Sequence, residues 1–252
     1  MSIAFALLIG LLIGLIVGAL GAGGGILSVP ALVYLLNQPP HEAAVGSLII
    51  VGSTSLISLI PRAFEHKVRW RDGLIFGVLS TAATYLGSRL SLLVDEELIM
   101  LLLGVLLAVV GVVLLANHRK NERKSERSGG KVNIPVLIAC ASFTGLLTGF
   151  FGVGGGFVVV PMLMLAMKFD VRYASGTSLL VMAISSATGL ISRIGADLSI
   201  DWPVIIGFAV ASMIGGLIGA PASRRFSEKA LTTAFAVLLL AVSAATLIQV
   251  AT

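Results

Sequence analysis

Two glycine runs hold the backbone best placed to do chemistry: Gly21-Ala22-Gly23-Gly24-Gly25 and Gly152-Val153-Gly154-Gly155-Gly156, each followed by a proline, Pro30 and Pro161. Glycine costs about 1 kcal/mol relative to alanine inside a helix, so so dense a run breaks one. A helix that restarts after the break offers amides with no intrahelical partner, and its N-terminus carries about half a positive charge. Glycine also lets a ligand approach the backbone closely, so such a tip suits a small oxyanion without any lysine. Gly21, Gly23, Gly24, Gly25, Gly152, Gly154, Gly155 and Gly156 are therefore candidate binding residues.

Hydroxyls around the runs extend the set. Ser28, Ser47, Ser55, Thr177, Ser178 and Ser186, with Ser53, Thr54 and Ser185 beside them, are neutral donors able to complete a shell around an anion without holding it too tightly. The competing reading of each is a hydroxyl bonded back to its own helix carbonyl. Arg62 and Arg193 close matching apolar segments, where each either attracts anions at an entrance or snorkels at a helix end. Trp70 and Trp202 read as interfacial anchors.

The carboxylates, from Glu42 to Glu228, and His41, His66 and His118 all fall in loops or at segment ends. A proton relay of buried acids is not visible, and an intramembrane protease or metal enzyme would need such groups at depth. No metal site and no cofactor is expected. A GxGxxG fingerprint would need glycine at Ile26 and Phe157, and no Gly-Lys-Ser/Thr follows either run. The single cysteine, Cys140, permits no intrachain disulfide and reads as a small buried apolar residue.

The elements that must position these residues are apolar. The 252-residue chain is 57% hydrophobic and 12% charged, against about 25% charged in soluble domains, and its mean hydropathy is +1.06. It is an all-α polytopic membrane protein by composition, with the lipid bilayer as its surroundings. The net charge of +5 does not indicate nucleic acid, because the basic residues lie between apolar segments. Apolar stretches run over Ile3–Leu20, Ile26–Leu36, Ala43–Ile60, Gly73–Val94 and Leu98–Ala116, then Pro135–Phe151, Phe157–Met167, Tyr173–Ile194, Trp202–Ala220 and Ala230–Val250. The start, MSIAFALLIG, lacks the basic region of a signal peptide, so the segment is expected to be retained.

The second series repeats the first. One constant offset carries Gly14, Gly18, Gly21, Pro30, Ser47, Ser55 and Arg62 onto Gly145, Gly149, Gly152, Pro161, Ser178, Ser186 and Arg193. After one inserted residue, Trp70, Gly87 and Glu96 fall on Trp202, Gly219 and Glu228. The chain divides into a first membrane repeat, residues 1–116, a basic cytoplasmic linker, 117–134, and a second membrane repeat, 135–252.

If the chain reverses at each glycine run, all of the 17 Lys and Arg residues except Arg89 and Arg193 fall on one side of the membrane, as the positive-inside rule favours. Each half then crosses an odd number of times, so the halves are inverted repeats. Each comprises a Gly-broken re-entrant or short-helix hairpin plus three spanning helices, giving 8–10 membrane segments with the glycine tips near the middle and both termini outside.

These residues carry a resemblance. The paired GxGGGxxxVP elements, Gly176-Thr177-Ser178-Leu179 and Asp201-Trp202 resemble the TauE/SafE sulfite-exporter family of bacterial and archaeal inner membranes, over nearly the whole chain. The resemblance implies transport of small sulfur-containing or organic anions such as sulfite, thiosulfate or sulfonates. The first half departs from the pattern, with Val45-Gly46-Ser47-Leu48 and Arg69-Trp70, so equal contributions from the halves are not implied. The expected function is a membrane exporter or facilitator working by alternating access around the two breaks. The alternative is a non-transporting scaffold or assembly subunit using glycine-lined helix faces. A small anionic substrate is the expected partner, and a homo-oligomer is left open.

Overall fold

The computed structural model describes residues 2–20, 25–118, 134–169, 171–195, 200–222 and 228–251. Its helices are α1 (Ser2–Leu20), α2 (Gly25–Pro30) running into a π-helical turn (Ala31–Leu35), α3 (Pro40–Phe64), α4 (Trp70–Ser91) and α5 (Glu96–His118). The second series is α6 (Ile134–Phe151), α7 (Gly156–Met167), α8 (Val171–Ser192), α9 (Trp202–Ala222) and α10 (Glu228–Ala251). Five of them, α3, α5, α6, α8 and α9, contain apolar stretches long enough to cross a bilayer. The protein is an all-α polytopic membrane protein.

Local chemistry sets the boundaries. Pro39 caps α3 with Pro40 at its first position, where the missing N–H has no partner to lose. Asn37, after the π turn, and Lys168, after α7, both adopt left-handed φ values of 52° and 53°, terminating equivalent short helices in the same way. Pro30 lacks an amide and cannot continue the α-helical ladder, and the widened π turn begins directly after it. Pro161 sits at the matching place in α7, which stays α-helical.

The packing exchanges partners between the two series. α1 lies along α9 and α6 lies along α4, while α3 pairs with α8 and α5 with α10. Glycine makes the first two contacts close: a Cβ on Gly14 would strike the Ser212 backbone, and one on Gly145 would strike the Ser80 carbonyl, the same contact in each series. Their order gives the directions. Gly10 meets Phe208 and Gly14 meets Ser212, so α1 and α9 run the same way; Gly145 meets Ser80 and Gly149 meets Thr84, so α6 and α4 do too. Equivalent helices run against each other, since Gly52 meets Ser186 where Leu48 meets Gly189 across α3 and α8, and Gly104 meets Leu247 where Gly111 meets Leu240 across α5 and α10.

The α3–α8 pair forms the centre: 72% of the α3 span and 67% of the α8 span are buried within the protein, against 33% for α5. α5 keeps Leu101, Val105, Val109 and Val112 on the surface, as a lipid-facing helix should. Cys140 is buried among Leu137, Ala141 and Leu163.

Candidate functional site

The second glycine run is a folded tip inside this frame. α6 ends at Phe151, the chain turns through Gly152, Gly154 and Gly155 with φ of 66°, 67° and 68°, and α7 starts at Gly156. These are left-handed values at which glycine carries no steric cost. A Cβ would also meet neighbours at each: Ala44 at Gly152, Val51 at Gly154 and Thr148 Oγ1 at Gly155. Gly152 through Gly156 are all buried. Val51 lies near the middle of α3 and Ala44 near its start, so the tip packs along the first half of α3. The first amides of α7 lack carbonyl partners within it; the next two, of Val158 and Val159, both bond the Gly155 carbonyl, at 2.9 and 2.8 Å.

Of the sequence-predicted residues, Gly152, Gly154, Gly155 and Gly156 are brought together here. Gly21, Gly23 and Gly24 lie outside the described residues, and Gly25 begins α2. Ser47 is fully buried on α3 between Ala44 and Val51, on the face that receives the second tip. Ser55 lies one turn beyond Val51. Its equivalent, Ser186, packs on Gly52 where α3 crosses α8; both hydroxyls are buried and have no hydrogen-bond partner among the described residues. Ser28 is fully buried in α2.

Other hydroxyls are committed. Ser178 donates to the Ser175 carbonyl at 2.7 Å and Ser53 to the Ile49 carbonyl at 2.7 Å, the local bonding that serine adopts in helices. Thr177 Oγ1 accepts from the Arg69 amide at 3.1 Å, tying α8 to the start of α4 away from the tip. Ser185 pairs with Ser80 at 3.4 Å.

The arginines are more deeply placed than a helix-end position implies: Arg62 is 9% and Arg193 5% exposed. Arg193 donates to the Gly149 carbonyl at 3.1 Å and to Ser91 Oγ at 2.9 Å, and reaches the His41 carbonyl at 3.5 Å. Arg62 reaches the Gly18 carbonyl at 3.5 Å, which is the equivalent contact. Each guanidinium therefore sits on the last turn of the helix that leads into a glycine run, where orphan carbonyls and the negative end of the helix dipole favour a cation. Ser88 adds a second hydrogen bond to the Gly149 carbonyl, at 3.2 Å.

Two residues beside the tip escaped the sequence reading. Thr144 and Thr148, one turn apart on α6, are fully buried, and neither hydroxyl has a hydrogen-bond partner among the described residues. The signal was available where the repeats differ, since Ile13 and Val17 stand at the matching positions.

The sequence profile described as sulfite exporter TauE/SafE matches residues 6–246. The chain belongs to the sulfite exporter TauE/SafE family. Similar curated proteins include a probable membrane transporter protein of Xylella fastidiosa (strain 9a5c), 34% identical over 89% of this chain and 87% of the relative. Others of the same description come from Bacillus subtilis, 25% identical over 95% of both chains, and Methanocaldococcus jannaschii, 26% identical over 88% of this chain and 87% of the relative. No solved structure gives a significant match. As a member of the TauE/SafE family the chain is a multi-pass membrane transporter of the plasma membrane and not an enzyme.

Proposed function

We propose that this transporter carries small sulfur-containing or organic anions, such as sulfite, thiosulfate or sulfonates, by alternating access around its two glycine-broken hairpins. The observation that carries the reading is the buried tip at Gly152–Gly156, a helix start packed against hydroxyl-bearing α3. Short helices that begin at mid-membrane and aim their amides inward are a recurrent device for anionic substrates in secondary transporters. The binding set is Gly21, Gly23, Gly24, Gly25, Ser28, Ser47 and Ser55 with Gly152, Gly154, Gly155, Gly156 and Ser186; Thr177 and Ser178, whose hydroxyls already bond to the Arg69 amide and the Ser175 carbonyl, stand outside it. Arg62 and Arg193 act at the gates, as cations that hold the helix ends leading into each tip.

The repeats, residues 1–116 and 135–252 joined by the basic linker 117–134, are inverted. Support comes from equivalent helices running against each other, α3 against α8 and α5 against α10, as a twofold axis in the membrane plane requires. Substrate then reaches the tips from either face as one repeat rocks on the other. The glycine faces of α1 and α6 that a scaffold would offer to a partner are occupied within the chain, by α9 and α4.

The test is anion flux into vesicles from protein carrying Gly24→Leu or Gly155→Leu, with insertion checked by membrane extraction. Flux of sulfite, thiosulfate or a sulfonate by the unmodified protein, abolished by either substitution, is the expected result. Undiminished flux in the inserted variants removes the tips from the pathway.

A further inference from the structure

The two tips carry different chemistry. Threonine in a helix ordinarily donates to a carbonyl one turn back, as Thr81, Thr84 and Thr188 do here at 3.0, 2.9 and 3.0 Å. Thr148 does not. Its Oγ1 is turned instead onto Gly155, occupying the space that a Cβ there would fill, directly at the cap of α7. It is fully buried and has no hydrogen-bond partner among the described residues. A hydroxyl buried without a partner costs about 1–3 kcal/mol, and its placement against a helix N-terminus with unbonded amides puts neutral donors together with no acceptor between them. The first repeat cannot reproduce this, because Val17 stands at the equivalent position.

We infer that the second tip is the primary oxyanion site of this transporter, and that Thr148 is a binding residue whose hydroxyl donates to a substrate oxygen while the first amides of α7 take the others. The inference rests on the anion reading of the tips given above and adds that they are unequal. A hydroxyl donor and backbone amides around one oxyanion match a sulfite or sulfonate head, which presents several acceptor oxygens and needs no proton from the site. Thr144, one turn earlier on α6, is likewise buried without a hydrogen-bond partner among the described residues.

The experiment measures equilibrium binding of sulfite, thiosulfate and methanesulfonate to the purified full-length protein by ligand-dependent thermal shift and by calorimetry. Thr148→Ala is expected to weaken the bound probe by about tenfold or more, the loss of one charge-assisted hydrogen bond, and Thr148→Ser to restore affinity to within about threefold. Gly195→Ala, on an open turn outside both tips with nothing within 4 Å of an added Cβ, is expected to keep binding. Ligand-free unfolding midpoints confirm that each variant is folded; should Thr148→Ala be misfolded, the Ser and Val variants supply the same contrast. Unchanged binding in folded Thr148→Ala, or equal losses from Ala and Ser, overturns the role of Thr148 and leaves the anion reading standing. No binding of any probe to the unmodified protein, together with no flux, overturns the anion reading itself.

Discussion

Gly155→Ala separates two costs that the tip combines. The first is conformational: at φ of 68° an L-residue with a Cβ is held in the left-handed region, a penalty of about 1–2 kcal/mol. The second is steric, because the new methyl would enter the space of Thr148 Oγ1. The Thr148 hydroxyl is the main obstacle, since Thr148 Cβ stands farther off at 3.1 Å, and overpacking of this kind costs about 1–3 kcal/mol. The sum is about 2–5 kcal/mol. Gly195 provides the control, with φ of 87° and nothing within 4 Å of an added Cβ, so Gly195→Ala meets the conformational cost alone. Unfolding in detergent, followed by intrinsic fluorescence, should therefore place Gly155→Ala below Gly195→Ala. Adding Thr148→Ala should return most of the steric part, a coupling of about 1–3 kcal/mol in a double-mutant cycle. Equal stability of the two glycine variants, or a coupling near zero, would refute the packing argument at the tip.

Two further outcomes follow from other contacts. Arg193→Met removes the Nη2 donor to the Gly149 carbonyl and Ser91 and should lower stability by about 2–4 kcal/mol by the same unfolding measurement, with Arg193→Lys recovering only part because a single ammonium lacks the second arm, Nη1, that reaches the His41 carbonyl. A reporter fused after Thr252 should be active outside the cell and one inserted in the 117–134 linker inside it; a cytoplasmic C-terminal reporter contradicts the inverted arrangement.

Much of the helical layout was legible because hydropathy and breakers report it directly. The apolar stretch Trp202–Ala220 became α9 at Trp202–Ala222, and Phe157–Met167 became α7 at Gly156–Met167. Glycine and arginine positions that match between the two series in sequence also make matching contacts: Gly14 on Ser212 as Gly145 on Ser80, and Arg62 on Gly18 as Arg193 on Gly149. What periodicity does not encode is which helix each face meets. Nothing in the spacing of Gly10 and Gly14 says that their partner is α9 and not a neighbour in sequence. The arginines were hard to place for a related reason, as a cation at a segment end reads as surface until the carbonyls it caps are known. Thr148 was hidden by a different effect: matching the repeats draws the eye to what they share, and this residue matters through what they do not.

The exchange of partners between the repeats also governs how the protein is made. α1 ends at Leu20, but the helix it packs along does not begin until Trp202. At about 5–20 residues per second, synthesis leaves α1 in the bilayer without its partner for on the order of ten seconds or more. During that interval the small-residue face of Gly10 and Gly14 is open to lipid, and α4 waits in the same way for α6. Neither half can complete its own packing, so the two must be assembled together, and a chain cut within the linker should yield stable protein only when both pieces are produced in the same membrane.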